Sequence, residues 1–308
     1  MFDVFGGMMR IFFVVGIALI FLCACSAPTL TPAILISTSS PNELSGEYIG
    51  QIPPEKDPMR FGGGFLSGSF HSAPVFSPEG DEVWWAGEYG SATIYYSHVA
   101  DGEWTKPVSV KFSENIDSYR DPFISPDGEK FYFISASPLP GSTTASKENI
   151  WMMDRVDDGW SEPQPLPESI NCLALHWTLS VADNYNLYFS ATEGDVNPDI
   201  YLSRFENGAY TDPILLEDPV NSDQMEITPN IAPDESYILF TRLVDNNATP
   251  FLHISYASDS GWTEPEKVEN VPYCISPIVT PDRKYVIYLS SPSSFGWRDT
   301  SFIDEFRP

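Results

Sequence analysis

Residues 121–135 read DPFISPDGEKFYFIS, a short apolar stretch, a tight turn and a second apolar stretch. Four further segments share this pattern: APVFSPEGDEVWWAG from Ala73, WTLSVADNYNLYFSA from Trp177, TPNIAPDESYILFTR from Thr228 and SPIVTPDRKYVIYLS from Ser276. A unit that recurs about every 50 residues cannot bury its own faces and packs against its neighbours, which is typical of propellers and solenoids. The pattern therefore predicts an all-β repeat architecture.

The turn inside each copy follows from the backbone preferences of its residues. Residues 125–128 read SPDG, in which Pro126 sets φ for the first corner, Asp127 can bond the backbone that follows it, and Gly128 tolerates a positive φ. The later copies lack this glycine but keep an acidic residue: Asp183, Asp234 and Asp282. These acids and glycines are interpreted as turn formers and not as a functional motif.

A second pair of strands follows each of the first four hairpins. The third strands lie at residues 92–102, 148–159, 198–208 and 251–261, and each runs into a fourth that contains an aromatic residue, Ser or Thr, any residue, and proline. Proline cannot donate to a central ladder, so this fourth strand is expected at the outer edge of its sheet. Four antiparallel strands of this kind form a propeller blade. The recurrent aromatic residues are predicted to pack between blades, the alternative being a ligand-stacking face; they are Trp104, Trp160, Tyr210 and Trp262.

The fifth unit lacks a fourth strand, since residues 291–308 are long enough for a third strand only. A segment from one terminus can complete the blade that the other terminus forms, which removes a free edge. Residues 59–68, MRFGGGFLSG, precede the first unit and are predicted to supply the missing strand. Five hairpins then give a propeller of five four-stranded blades. A six-bladed ring is the alternative, and it would need a further unit within residues 41–70.

The composition is that of a loop-rich, core-forming and strongly acidic chain. The 308 residues are 14% aromatic and include 28 prolines, and no stretch of helical period follows Cys25. With 43 acidic against 16 basic residues the net charge is −27, a field that repels phosphate backbones and argues against nucleic acid as a partner. The charge either keeps the protein soluble or attracts cations or a basic partner.

Residues 1–25 are expected to be a signal peptide and not part of the fold. Arg10 precedes an apolar run at residues 11–22, which suits a signal-peptide core and is short for a membrane span. Residues 22–25, LCAC, resemble the bacterial lipobox, and this resemblance implies that Cys25 is lipidated and becomes the first residue of the mature chain. The alternatives are an ordinary signal peptide cut nearby and an uncleaved anchor.

A tether and the propeller are expected to follow this anchor. Residues 26–47 are rich in Ser, Thr and Pro and show no packing pattern, and residues 48–308 hold the repeats. Acyl chains contribute about 0.8 kcal/mol per buried methylene, so a multiply acylated cysteine holds a domain on a membrane, here the outer membrane or the cell surface. Cys172 and Cys274 fall in the third and fifth units, which are not adjacent in a ring, so free, half-buried thiols are expected over a disulfide.

These features together resemble the TolB-type propeller repeat, a WD-like repeat of periplasmic and surface proteins. The resemblance is carried by the SPDG turns, the following FYF or ILF strand, and the strand DIYLS at residues 199–203. It covers residues 48–308, and the segments YIGQIPPEKDPMRF and TSFIDEFRP are similar to those that bracket such domains in bacterial lipoproteins. The resemblance implies a scaffolding or protein-binding role. The chain lacks the separate N-terminal α/β domain of TolB, so a role in the Tol system is not implied.

Candidate site residues are those just before the inner strands, where propeller ligands usually bind at the mouth of the channel. These positions are polar and of mixed charge: His71, Arg120, Asp121, His176, Glu226 and Cys274. Imidazole and carboxylate groups among them could ligate a metal. The chain has four histidines and no HxH or HExxH motif, so neither a metal nor a cofactor is expected and no catalytic residue is assigned.

Other chemistries have less support. A G-x-S-x-G elbow is absent, which argues against serine-peptidase chemistry, and a glycosidase carboxylate pair cannot be located among 43 acids. Residues 195–199 have calcium-loop-like spacing without the glycine and distal glutamate of an EF-hand, so a solvated loop is expected. One function open to this chain is a monomeric, membrane-tethered module that binds an envelope protein or peptide without catalysis. The other is a glycan-binding or carbohydrate-active propeller in which Trp84, Trp85 or Trp177 stacks on sugar rings.

Overall fold

The five hairpin segments form the inner two strands of five antiparallel sheets, and these sheets are the blades of a five-bladed β-propeller. The computed structural model describes residues 36–37, 44–66, 68–89, 91–142, 147–157, 159–194, 197–244 and 249–308. The inner strands of successive blades contact one another in chain order around a central channel. The predicted all-β propeller and its five blades are confirmed, and the six-bladed alternative is wrong.

The segment before the first blade supplies strands to blades 1 and 5. Its elements are β1 (Ile36–Ser37), β2 (Leu44–Ser45), the helical turn α1 (Glu47–Gly50) and β3 (Met59–Phe61). Within α1, Tyr48 and Ile49 have positive φ angles of 50° and 60°, and both side chains are buried in the core. Strands β1 and β2 lie within residues 26–47, the segment expected to be a tether. Part of that segment therefore pairs with the propeller.

Blades 1 and 2 share one strand order from the channel outward. Blade 1 runs β4, β5, β6, β8, and β7 pairs with the end of β6; the bounds are β4 Val75–Phe76, β5 Glu82–Tyr89, β6 Ser91–Ala100, β7 Glu103–Trp104 and β8 Val108–Val110. Blade 2 runs β9, β10, β11, β13, and β12 pairs with the end of β11; the bounds are β9 Arg120–Ile124, β10 Lys130–Ser135, β11 Asn149–Val156, β12 Gly159–Trp160 and β13 Gln164–Pro165. Strand β1 extends the outer edge of blade 1 by pairing with β8, and β2 pairs with β7.

Blades 3 and 4 repeat this order after the short helix α2 (Glu168–Asn171). Blade 3 runs β14, β15, β16, β19 beside the small hairpin β17–β18; the bounds are β14 Ala174–Val181, β15 Leu187–Thr192, β16 Asp199–Ser203, β17 Phe205–Glu206, β18 Ala209–Tyr210 and β19 Ile214–Leu215. Blade 4 runs β20, β21, β22, β24, and β23 pairs with the end of β22; the bounds are β20 Met225–Ile231, β21 Tyr237–Val244, β22 Thr249–Ser258, β23 Gly261–Trp262 and β24 Glu266–Lys267. In blades 1 to 4 the fourth strand begins at the residue directly after the proline of the predicted pattern, and these strands are β8, β13, β19 and β24.

Blade 5 is completed by the N-terminal segment. Its own strands are β25 (Ile275–Val279), β26 (Tyr285–Ser291) and β27 (Ser294–Asp299), followed by the helix α3 (Ser301–Glu305). Strand β3 pairs antiparallel with β27, with Phe61 opposite Phe295 and Met59 opposite Trp297. The prediction that residues 59–68 close the ring is confirmed. The Phe61 ring packs on Trp297 at 5.0 Å between centroids, so closure buries an aromatic pair as well as forming a ladder.

The recurrent aromatic residues pack inside the protein. The Trp104 ring packs on Phe76, and its Nε1 donates to the carbonyl of Gly46 at 2.8 Å. The Tyr210 hydroxyl bonds the Tyr132 hydroxyl of the preceding blade at 2.8 Å. Trp160 packs on an inner-hairpin phenylalanine, and Trp262 packs against buried residues of blades 3 and 4. They serve packing and do not form a ligand-stacking face.

Candidate functional site

The inner strands carry a bulge at one equivalent position. In blades 2 to 5 the residue there has a left-handed backbone, with φ between 48° and 54°, although none is glycine: Asp121, Thr178, Thr228 and Ser276. The strand register shifts at each of these bulges. Ala73 takes the corresponding position in blade 1. Such a conformation costs about 1–3 kcal/mol for each residue that is not glycine, so its repetition requires a compensating interaction.

The compensation is a set of hydrogen bonds between blades. Asp121 Oδ2 accepts from the N–H of Thr178, Thr228 Oγ1 from that of Ser276, and Ser276 Oγ from that of Ala73, each at 3.1 Å. An inner strand is a sheet edge, so these N–H groups have no partner in their own sheet. We call the five bulge-position residues the bulge ring. Each is at most 5% exposed, so the ring fills the channel at this level.

His71 contacts the bulge ring from the end where the inner strands begin. Its Nδ1 lies 2.8 Å from Asp121 Oδ1 and 3.0 Å from Oδ2, and its side chain is 21% exposed. Burial lowers the pKa of His71, but the Asp121 carboxylate more than offsets this effect and raises the pKa above its usual value. Burial likewise raises the pKa of Asp121, and His71 more than offsets it, so that pKa is lowered. A carboxylate at Nδ1 fixes the imidazole orientation, an arrangement shared by histidines that transfer protons.

The other predicted charged residues form ion pairs of their own. Arg120 pairs with Glu148 at 3.1 Å, and both side chains are 27% exposed. Glu226 is fully buried and pairs with Arg242 Nε at 2.7 Å. The side chain of His176 lies outside the described part of the structure. Of the predicted set, the structure thus brings His71 and Asp121 together.

The two cysteines of the propeller are free, with Cys172 exposed and Cys274 buried, so the predicted free thiols are found but neither is half-buried. Burial raises the pKa of the Cys274 thiol well above its usual value. Across the described ranges, no group of three or more His, Cys, Asp or Glu side chains is placed to hold a metal ion.

The opposite mouth of the channel opens into a cavity of about 280 Å³, which we call the turn-end cavity. All five blades line it, with apolar residues of the inner strands and with the turns that follow them. The first turn residue is proline in four blades, and these prolines belong to the lining: Pro78, Pro126, Pro233 and Pro281. Asp183 takes this position in blade 3, and together with Arg283 it supplies the charges of the lining.

Sequence reasoning placed the candidate site at the other mouth and missed this cavity. The turn prolines were interpreted as turn formers alone, whereas they also form the rim of an opening. A signal was present in the sequence, because proline recurs at one turn position in four of the five copies. Equivalent positions in a propeller lie around one mouth of the channel, so this recurrence places four rigid, apolar proline side chains around that mouth.

Two of the tryptophans considered for sugar stacking are buried and cannot contact a sugar ring. Trp84 and Trp85 are 4% and 2% exposed and pack on Tyr96 and Tyr95 within blade 1. The side chain of Trp177 lies outside the described part of the structure. Residues 1–25, with the expected lipidation site Cys25, also lie outside it. Among the described residues, no helix is both long and apolar enough to cross a membrane.

The known proteins that this chain resembles are solved structures with little sequence identity to it. No family model matches the chain, and no curated protein matches it. Among solved structures, a gluconolactonase from Xanthomonas campestris is 10% identical over 86% of this chain and 100% of that chain, with a TM-score of 0.49. A puromycin-hydrolyzing peptidase from Mycobacterium tuberculosis is 18% identical over 66% of this chain but only 30% of that chain (TM-score 0.42), and a GH43 glycoside hydrolase is 14% identical over 76% and 49% (TM-score 0.43). This chain is similar to them in fold alone.

Proposed function

We propose that this chain is a lipid-anchored propeller of the bacterial cell envelope, TolB-like in its repeats, that binds a protein or peptide in the turn-end cavity and acts without catalysis. Acylated Cys25 is the anchor, and the outer membrane or the cell surface is the location. The propeller acts as a monomeric scaffold, and its acidic surface disfavours nucleic acid.

The contrast between the two mouths of the channel carries this proposal. At the end where the inner strands begin, the bulge ring is buried, and His71, Arg120 and Glu226 are each engaged in an ion pair. At the turn end the channel is a cavity with apolar walls. Ligand sites are concave and mostly apolar with a few polar groups, and the turn-end cavity has this composition.

The cavity suits a small part of a larger partner. A volume of about 280 Å³ lies near the lower limit of ligand pockets, which are typically about 300–1,000 Å³. That space accommodates one or two side chains or a chain end. The proline rim is rigid, so little conformational entropy is lost when a partner packs on it. A protruding peptide segment therefore fits this mouth better than a long polymer lying across it.

Site-specific photo-crosslinking tests where the partner binds. A benzophenone amino acid at Pro281 or Pro126 of the full chain, expressed in its native host, is expected to give one crosslinked product of the same mass from both positions, because both residues line one cavity. The matched control is Ile214 on the outer edge of blade 3, which is 51% exposed and distant in topology from the channel. Absence of a product from the rim, or the same product from Ile214, would contradict the proposal.

Lipidation is tested by changing Cys25 to alanine. Cells fed an alkyne-tagged fatty acid are expected to label the wild-type chain and not the Cys25→Ala variant, which should also leave the membrane fraction, because acyl chains supply the membrane affinity. Cys172→Ala is the control and should keep the label, since this exposed thiol lies in the propeller. Equal labelling of wild type and the Cys25→Ala variant would refute the anchor and leave the cavity proposal standing.

A further inference from the structure

The inner strands leave backbone N–H groups directed at the channel, and one of them lies just before each turn. The five pre-turn residues are Phe76, Ile124, Val181, Ile231 and Val279. In every blade the N–H of the next residue bonds across the hairpin, for example Ser125 to the Lys130 carbonyl at 2.9 Å. Bonded and non-bonded pairs alternate in an antiparallel ladder, so each pre-turn N–H points away from its own sheet.

Two of these five N–H groups are bonded by a side chain of the preceding blade. Ser180 Oγ of blade 3 accepts from the N–H of Ile231 in blade 4 at 2.9 Å. Asn230 Oδ1 of blade 4 accepts from the N–H of Val279 in blade 5 at 3.1 Å. Both acceptors occupy the same position, one residue before the pre-turn residue.

The other three N–H groups have no acceptor among the described residues. The positions equivalent to Ser180 and Asn230 carry no side-chain oxygen in blades 1, 2 and 5, where they are Val75, Phe123 and Ile278. By the blade order, these residues face the N–H groups of Ile124, Val181 and Phe76, respectively. All six residues line the turn-end cavity. Three consecutive blades therefore present unpaired donors to one apolar cavity.

An acceptor that enters this cavity would pair with these donors, and on the lining Arg283 favours an anionic acceptor whereas Asp183 opposes it. The pre-turn residues also direct carbonyl groups at the cavity. A buried N–H without a partner is rare in proteins, whereas a carbonyl with an unused lone pair is better tolerated. The N–H donors therefore determine that the ligand must offer a hydrogen-bond acceptor. Arg283 is the cation of the lining, and, after the hydrogen bond from Ser236, its positive charge helps to lower the pKa of Asp234. A carboxylate bonded by backbone N–H groups makes charge-assisted hydrogen bonds, which are stronger than neutral ones.

We propose that the turn-end cavity recognises a carboxylate carried on an apolar chain, with the N–H groups of Phe76, Ile124 and Val181 as donors and Arg283 as the counter-charge. The inference rests on the proposed function, because it names the group of the partner that enters the cavity. A peptide C-terminus and an Asp or Glu side chain present the same chemistry.

Titration of the full chain with hexanoate and with hexanamide tests this proposal. The two probes have nearly the same shape, and we expect hexanoate to bind about tenfold more tightly, which corresponds to one charge-assisted bond over a neutral one. In amide-resolved NMR, hexanoate should shift the N–H protons of Phe76, Ile124 and Val181, and not those of Ile231 and Val279. Equal affinity for both probes, or shifts that omit these three amides, would overturn the proposal.

A matched pair of substitutions isolates the donors. Val75→Ser places a hydroxyl where Ser180 has one, so it should bond the N–H of Ile124 and weaken hexanoate binding about tenfold. Val75→Ala removes the same volume without adding an acceptor, so the loss of wall contacts is common to both variants, and hexanoate should bind the alanine variant about tenfold more tightly than the serine variant. Arg283→Gln should also weaken hexanoate, and Asp183→Asn should strengthen it. Equal affinity in the Val75→Ser and Val75→Ala variants would overturn the role of the N–H donors.

Two peptides separate the sources of the carboxylate. N-acetyl-Leu-Leu with a free C-terminus tests the chain end, and N-acetyl-Leu-Glu-Leu-amide tests the side chain. Binding of either one, with the preference over its amide counterpart, supports the proposal and identifies the source. If neither binds while Pro281 still crosslinks a partner, the carboxylate is wrong and the proposed function stands. If crosslinking fails as well, both are wrong.

Discussion

Changing Arg242 to methionine is expected to lower the free energy of unfolding by about 3–5 kcal/mol, because it leaves a buried carboxylate without its partner. Glu226 is fully buried, and its Oε1 accepts from Arg242 Nε at 2.7 Å and from Ser222 Oγ at 2.6 Å. The guanidinium also donates to the carbonyls of Pro219 and Val220, which fixes the loop before β20. Urea denaturation followed by tryptophan fluorescence measures the change.

The control for this prediction is an exposed ion pair. Lys56 and Glu305 lie 3.9 Å apart with side chains 82% and 60% exposed, and Lys56→Met should leave the unfolding midpoint unchanged within error. The double variant Arg242→Met/Glu226→Gln should recover part of the loss, because the buried charge is then removed. If the Arg242→Met variant were as stable as wild type, the buried Glu226 carboxylate would not depend on Arg242, and the prediction would be wrong.

Changing Asp121 to asparagine is expected to cost about 3 kcal/mol near pH 5.5 and less at pH 9. Asp121 is 1% exposed, bonds His71 and accepts from the N–H of Thr178, so it links blades 1, 2 and 3. The substitution removes the charge that compensates the partly buried His71 imidazolium, and it weakens the charge-assisted hydrogen bond to the Thr178 N–H that offsets the left-handed backbone at Asp121.

The pH dependence follows from the directions of the two pKa shifts. The raised pKa of His71 gives stability that is complete below the unfolded value of about 6.5 and is lost as the pH rises through the folded pKa. The lowered pKa of Asp121 gives stability that is complete above about 3.9 and is lost as the pH falls through the folded pKa. Both contributions to stability are complete between about pH 3.9 and about pH 6.5. A wild-type to Asp121→Asn difference that is the same at pH 5.5 and pH 9 would contradict the ion pair, and exposed Asp183→Asn serves as the control.

Much of the fold could be predicted because it depends on local patterns. The alternation of turn formers with apolar strands gave the hairpins, and the missing fourth strand pointed to residues 59–68 as the closure, which Met59–Phe61 provide. The proline after each recurrent aromatic residue identified the outer edge. These features are set by backbone preference and by strand edges, and both are readable without knowledge of long-range contacts.

The candidate site could be predicted only in part. The pairing of His71 with Asp121 agrees with their common position before the inner strands. Which mouth of the channel is filled depends on the bulge in each inner strand, and a left-handed φ at Thr178 or Thr228 has no signature in the sequence. The bonded pre-turn amides likewise require the order of the blades, because Ser180 acts on the next blade and not on its own.

The donors of the turn-end cavity are tested most directly by amide hydrogen exchange in the free chain, resolved at the five pre-turn residues. The N–H of Ile231 is bonded to Ser180 Oγ and that of Val279 to Asn230 Oδ1, in an otherwise equivalent setting. We expect Phe76, Ile124 and Val181 to exchange about tenfold faster than these two, which corresponds to the loss of one hydrogen bond, and to slow when hexanoate is added. Exchange of all five amides at one rate, unchanged by hexanoate, would contradict a cavity with three unpaired donors.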